Sequence, residues 1–384
     1  MRKLSCIIIV FCILLSAVPV SAAGTGPTVA GKSALLMDAA TGTVLLEQNA
    51  HEKLAPASVT KVMTMLLIME AIDSGKIGWN DRVTASETAA AKGGSQIYLK
   101  VGEQMTVTDM LKSIAVSSAN DCACAMAEHI AGSEEAFVDL MNRRAKELGM
   151  NDTHFVNCTG LDDDENAQEH LTSAFDIALM SRELMVKHPD IKKFTTIWMD
   201  TVRGGTFGLS NTNKLVRFYQ GATGLKTGFT SAAGYCLSAT AQRGGMELIA
   251  VVLGAETSQD RFNACKQLLD YGFANFALVQ PRPEAEYTVP VKLGKQGTVA
   301  AIAAQDAALL IDKAQLNQVN IRVELTDTVT APVSKGQRLG TMTVTAGEQV
   351  LAQIPMVADE AVQKKSFWDI FLSVLRRIAM AREP

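Results

Sequence analysis

Two short apolar runs near the start of the chain, Ser33–Asp38 (SALLMD) and Thr43–Gln48 (TVLLEQ), flank Ala39-Ala40-Thr41-Gly42 and predict a hairpin with glycine in its turn. A longer apolar stretch, from about Ser58 to Ile72, has helical length. Thr106 to Ala131 carries helical spacing on both sides of an interruption at Ser117-Ser118-Ala119-Asn120, with Gly132 as a stop signal. Thr172 opens another amphipathic helix. Three strand patterns then follow closely: Thr223–Thr230, Tyr235–Ala241 and Glu247–Leu253, the last two joined by Gln242-Arg243-Gly244-Gly245. A helix from Ser258 to about Phe276 closes this part.

Strands near both ends with helices between them assemble most economically as one five-stranded antiparallel sheet against a helical cluster, an α/β (α+β) fold. The strands must meet in space, which brings residues near 58 close to residues near 226. Pro281 and Pro283 break the pattern. Beyond them the runs Tyr287–Lys292, Val319–Leu325 and Leu339–Val344 alternate, and a small all-β domain is expected. In the last segment Phe367, Phe371, Val374, Leu375 and Ile378 share one helical stripe, with Asp369, Ser373, Arg376 and Arg377 mostly opposite. That stretch is too short and too charged to span a bilayer; it suits an amphipathic helix at a membrane surface, with Trp368 at headgroup level.

The extreme N-terminus changes the compartment. Arg2 and Lys3 precede an apolar run from Leu4 to Leu15, and Val20-Ser21-Ala22 offers small residues for cleavage after Ala22 or Ala23. This predicts a secretory signal and an exported chain at the outer face of the cytoplasmic membrane. The expected organisation is therefore a signal at 1–22, a catalytic domain at 23–279, a β domain at 284–360 and an anchor helix at 361–384. Cys6 and Cys12 leave with the signal, so Cys122, Cys124, Cys158, Cys236 and Cys265 remain, an odd number read as small buried thiols. The net charge of −4, with no basic stripe, argues against nucleic acid. The five histidines show no metal-binding spacing, so neither metal nor cofactor is expected.

Three motifs carry the candidate chemistry. Ser58 and Lys61 sit at i and i+3, about 5–6 Å apart at Cβ on a helix. An amine crowded by apolar side chains loses hydration and becomes a base able to take the serine proton. Ser118 and Asn120 lie between two helical runs, where a hydroxyl could relay a proton and a carboxamide could hold a substrate amide. Lys226-Thr227-Gly228 lies in a strand. Glycine there is costly unless another backbone approaches, and a substrate peptide added as an extra strand would be such a backbone. S-x-x-K, S-x-N and K-T-G each occur once, in that order, at a helix start, an interhelical loop and a strand. Together they are the signature of serine acyltransferases that react with penicillin.

On these motifs the chain resembles a low-molecular-mass penicillin-binding protein, a serine-type, S11-like D-alanyl-D-alanine carboxypeptidase with a penicillin-recognising, transpeptidase-like domain. His170–Asp176 (HLTSAFD), Gly221–Gly234 and the helix from Arg261 to Leu269–Phe273 are similar to family stretches. The resemblance implies Ser58 as nucleophile, Lys61 as base and Ser118 and Lys226 in proton traffic. Asn120 would position a peptidoglycan stem peptide ending in two D-alanines. Thr227, Gly228 and Phe229 would line the substrate strand, the Phe229 backbone N–H joining that of Ser58 in an oxyanion hole, and Arg261 would help bind the terminal carboxylate. β-Lactams are the implied acylating inhibitors. Phe229 stands where some members have histidine.

Two other readings share features. A class A β-lactamase has the same motifs but needs a glutamate on a loop for deacylation; Glu165 and Glu169 lie in the interval, without the loop motif expected around that base. A non-catalytic wall-binding protein could retain the fold, but complete motifs argue against it. His170 is read as structural.

Overall fold

The first hairpin forms where the pattern places it, as β1 (Ser33–Asp38) and β2 (Val44–Gln48). The late strands are β3 (Ala222–Thr230), β4 (Gly234–Arg243) and β5 (Met246–Ala255). All five make one antiparallel sheet in the order β2-β1-β5-β4-β3. The two ends of this part of the chain meet at β1 and β5, where Leu35 pairs with Val251 and Leu36 with Ala250. The computed structural model describes residues 26–162, 166–283, 285–305 and 307–380; the expected signal at 1–22 lies outside these.

β1 is buried at every position because both faces of the sheet are covered. Leu35, Met37, Ile249 and Val251 face one core, with the long helices between β2 and β3. Leu36, Leu248, Ala250 and Val252 face the other, under α6 (Ser258–Asn275). On the first face, α1 (Lys61–Asp73) is buried on almost all sides, as expected of a helix apolar all round. Around it pack α2 (Val107–Ser117), α3 (Asn120–Ala131), α4 (Glu134–Glu147) and α5 (Ala174–Lys187). Side-chain caps start most of them: Thr106 accepts from Asp109 N, Ser133 from Ala136 N, Ser173 from Asp176 N and Thr257 from Asp260 N. Gly132, with φ 89°, terminates α3 as anticipated.

The structure departs from the pattern in three places. Ser58 is not in the α-helix; it lies in a 3-10 turn, Ala57–Thr60, and Lys61 opens α1. Thr172 does not open α5, which begins two residues later, because its backbone bridges Leu54 instead. Three short strand pairs, Arg82–Thr84 with Gln104–Thr106, Met199–Val202 with Phe207–Ser210 and Phe276–Val279 with Leu309–Asp312, were not anticipated. They are too short to show an alternating signal.

Beyond residue 286 a six-stranded sheet has its own core, including Val289, Val299, Met342 and Met356. A final helix, α7 (Phe367–Met380), exposes Phe367, Trp368, Phe371, Val374 and Leu375. Among the described residues no helix is long and apolar enough to cross a membrane.

Leu66 is fully buried in α1. Leu66→Ala should therefore destabilise the fold by about 3 kcal/mol through lost burial and an unfilled cavity. A lowered urea midpoint at unchanged slope checks this; an unchanged midpoint contradicts it.

Candidate active site

Ser58 and Lys61 meet across the junction of the 3-10 turn and α1. Lys61 Nζ lies 3.0 Å from Ser58 Oγ and donates to Thr159 O at 2.7 Å. The Lys61 side chain is fully buried, whereas Ser58 is only partly buried. No carboxylate is bonded to the amine among the described residues. Burial pulls its pKa down to about 7, with the Cys158 thiol and Asp121 pulling weakly the other way. At neutral pH a substantial share of Lys61 is a free amine beside a hydroxyl.

The turn that grips Lys61 was not visible in the sequence. Asn157 Oδ1 accepts from the backbone N–H groups of Thr159 and Gly160, closing a tight turn at 157–160. Thr64 Oγ1 donates to Cys158 O at 2.6 Å, so α1 holds this turn twice. Gly160 has φ +77°, and a Cβ there would lie 1.9 Å from Ala57 O; only glycine lets the turn back onto the residue before Ser58. A second brace reaches Ala57 from His170. Val156 N–H donates to His170 Nδ1, so Nε2 carries the proton towards Thr60 Oγ1, which donates to Ala57 O. Burial first, then the charges of His154 and Lys61, push His170 down to about 4. It is a neutral strut, as the sequence reading held.

Ser118 ends α2 in the left-handed region, at φ 64° and ψ 29°, and Asn120 begins α3. A non-glycine residue held there costs free energy, and such strain gathers at functional sites. Asn120 Nδ2 donates to Gly93 O at 2.8 Å and its backbone N–H to Ser95 O, while Oδ1 is buried with no partner among the described residues. A buried carbonyl oxygen without a donor is ready for an incoming amide N–H.

Lys226 and Thr227 are also buried, on the edge strand β3. Lys226 Nζ donates to Thr227 O at 2.7 Å; burial drives its pKa well below the ordinary lysine value, helped by Lys61 and Arg261. The Lys61 charge therefore reaches the Lys226 amine. Thr227 Oγ1 donates to Thr212 Oγ1 at 2.7 Å, a neighbour that carried no sequence signal. The backbone that demands glycine at 228 is the chain's own: a Cβ there would lie 2.6 Å from Pro56 O and 3.1 Å from Ser58 N. This corrects the expectation that the peptide substrate explains the glycine. The outer edge of β3 nevertheless has no paired strand among the described residues. Phe229 is half-exposed and stacks on Tyr235 at 4.2 Å. Arg261 is buried behind β3, donating to Gly228 O at 2.8 Å and to Cys236 O at 3.3 Å. It braces the strand and also donates to Ser258 Oγ at 3.4 Å, while Nε has no partner among the described residues. The Ser58 hydroxyl beside a partly neutral amine, an open carboxamide oxygen and a free strand edge are parts that acyl transfer requires. Of the two candidate deacylating glutamates, Glu169 lies in a turn at 167–169 and Glu165 lies outside the described residues.

Comparison with known proteins identifies the family. Residues 20–257 match the family model described as D-alanyl-D-alanine carboxypeptidase, and residues 279–364 match that of the penicillin-binding protein 5 C-terminal domain. D-alanyl-D-alanine carboxypeptidase DacF of Bacillus subtilis is 46% identical over 342 residues, 88% of this chain and 87% of that protein. The crystal structure of penicillin binding protein 5 from Haemophilus influenzae aligns with a TM-score of 0.75 at 31% identity, covering 89% of this chain and 100% of that one. Penicillin-Binding Protein D2 from Listeria monocytogenes in its ampicillin-bound form aligns at 0.59 and 32% identity, covering 65% of this chain and 100% of that one.

The depressed Lys61 pKa has a kinetic consequence. Protonation below about pH 7 removes the base, so acylation by benzylpenicillin should fall about tenfold per pH unit on the acid side, with a midpoint near 7. Stopped-flow acylation rates between pH 5 and 9 check this. A rate flat down to pH 5 contradicts it.

Proposed function

Because the chain belongs to the D-alanyl-D-alanine carboxypeptidase family of penicillin-binding proteins, we propose that Ser58 is the nucleophile that cleaves between the two terminal D-alanines of a peptidoglycan stem peptide. The observation that carries this assignment is the 3.0 Å approach of a fully buried amine, bonded to no carboxylate among the described residues, to the Ser58 hydroxyl. The neutral Lys61 amine takes the Ser58 proton as Oγ bonds to the penultimate carbonyl carbon. The backbone N–H groups of Ser58 and Phe229 receive the developing oxyanion, a role supported by the close packing of Gly228 on Ser58 N. The C–N bond then breaks, and a proton reaches the departing D-alanine amine by way of Ser118 and Lys226. Water attacks the ester, releasing the shortened peptide and restoring the Ser58 hydroxyl.

The peptide lies along the outer edge of β3, with an amide N–H on Asn120 Oδ1 and its terminal carboxylate near Thr227. Arg261 supports that subsite through the Gly228 carbonyl and the charge it brings behind the strand. β-Lactams acylate the same hydroxyl, consistent with the ampicillin-bound relative. The chain is exported by its N-terminal signal and works at the outer face of the cytoplasmic membrane, where α7 lays its exposed aromatic and aliphatic side chains into the lipid interface.

Ser58→Ala should lose release of D-alanine from a synthetic peptide ending in two D-alanines by on the order of a thousandfold or more. It should also lose labelling by fluorescent penicillin. Retention of either activity contradicts the assignment. Truncation of residues 365–384 should move the protein from the membrane pellet to the supernatant at unchanged specific activity, and a truncated form that still pellets with vesicles excludes α7 as the anchor.

A further inference from the structure

A partly buried ion pair stands outside all three motifs. Lys92 Nζ lies 2.6 Å from Glu134 Oε2, with the two side chains 19% and 13% exposed. Glu134 opens α4, and its other oxygen, Oε1, accepts from the backbone N–H and the thiol of Cys158, each at 3.2 Å. The Cys124 thiol approaches Oε2 at 3.7 Å. Burial alone would raise Glu134 and lower Lys92; their mutual hydrogen bond and charge outweigh it and move both the other way, so the pair is ionised at neutral pH.

Each partner is joined to a different part of the site. On the Glu134 side, Cys158 O holds Thr64, and the next carbonyl, Thr159 O, holds Lys61 Nζ. On the Lys92 side, the next residue is Gly93, whose carbonyl accepts Asn120 Nδ2 and so sets which way the carboxamide faces. We propose that Lys92 and Glu134 are a positioning pair that ties the turn gripping Lys61 to the loop orienting Asn120. The base and the amide acceptor then keep one relative placement through acylation. The inference rests on the reading of Ser58 and Lys61 given above. Neither residue touches substrate. Their influence passes through two backbone carbonyls, each about 3 Å from a reacting or orienting group, where a displacement of about 1 Å can cost about a hundredfold in rate. A surface pair would contribute little; this one is partly desolvated, and its carboxylate also accepts from three further groups, which fixes its geometry.

The test uses the full chain, with benzylpenicillin acylation rates expressed per active site titrated. Lys92→Met and Glu134→Gln should each slow acylation about tenfold, and the double variant should be no slower than either alone, because each removes the same link. Lys92→Arg, which keeps the cation, should stay within about twofold of the parent. Lys92→Met retains an aliphatic stem at the surface and carries the test if Glu134→Gln does not fold. Single variants within about twofold of the parent, or losses that multiply in the double variant, overturn the proposal. Ser58→Ala serves as the control: persistent labelling there would defeat the reading of the site itself, a result distinct from failure of the pair.

Discussion

The structure turns on one enforced arrangement: a lysine amine buried, with no carboxylate bonded to it among the described residues, and held against a serine hydroxyl. Keeping Lys61 neutral rather than charged at neutral pH, against an ordinary value of 10.5, opposes folding by on the order of 4–5 kcal/mol. The sign follows from proton counting. The folded chain binds fewer protons than the unfolded chain between pH 7 and 10.5, so stability rises with pH across that window. Such a cost persists only because the surroundings over-determine it. α1 is packed on nearly all sides, Thr159 O fixes the amine from behind, and the Asn157 turn and the Thr60–His170 strut hold the adjoining backbone.

The sheet supplies the rest of the geometry. Pairing β1 with β5 joins the two ends of the domain, and β3 consequently lands beside the turn that carries Ser58. Gly228 is the contact point, pressed against Pro56 O and Ser58 N. Lys226 is thereby buried near Lys61, whose charge adds to burial in making Lys226 harder to protonate.

Much of this was legible in the chain. The apolar runs announced the five strands, and the fold brings the S-x-x-K turn against the K-T-G strand at Gly228. What stayed hidden has a common physical reason: it depends on backbone atoms, which sequence does not mark. Thr159 contributes a carbonyl, so its residue type is silent. Gly228 looked like a berth for a substrate strand, but it answers to the chain's own Pro56. Arg261 braces the strand through Gly228 O and Cys236 O, contacts the sequence did not mark. Thr212 sits in an unremarkable Asn-Thr-Asn stretch and reaches Thr227 only through the fold. The helix start was misplaced because a 3-10 turn and an α-helix share their apolar pattern over so few residues.

The most direct test is the ionisation of Lys61 itself, followed by carbon-13 NMR of the chain labelled at lysine Cε and assigned by comparison with Lys61→Arg. The account predicts a titration midpoint at about 7. A midpoint at the ordinary lysine value of 10.5 would contradict it, since the amine would then be charged and unable to accept the serine proton.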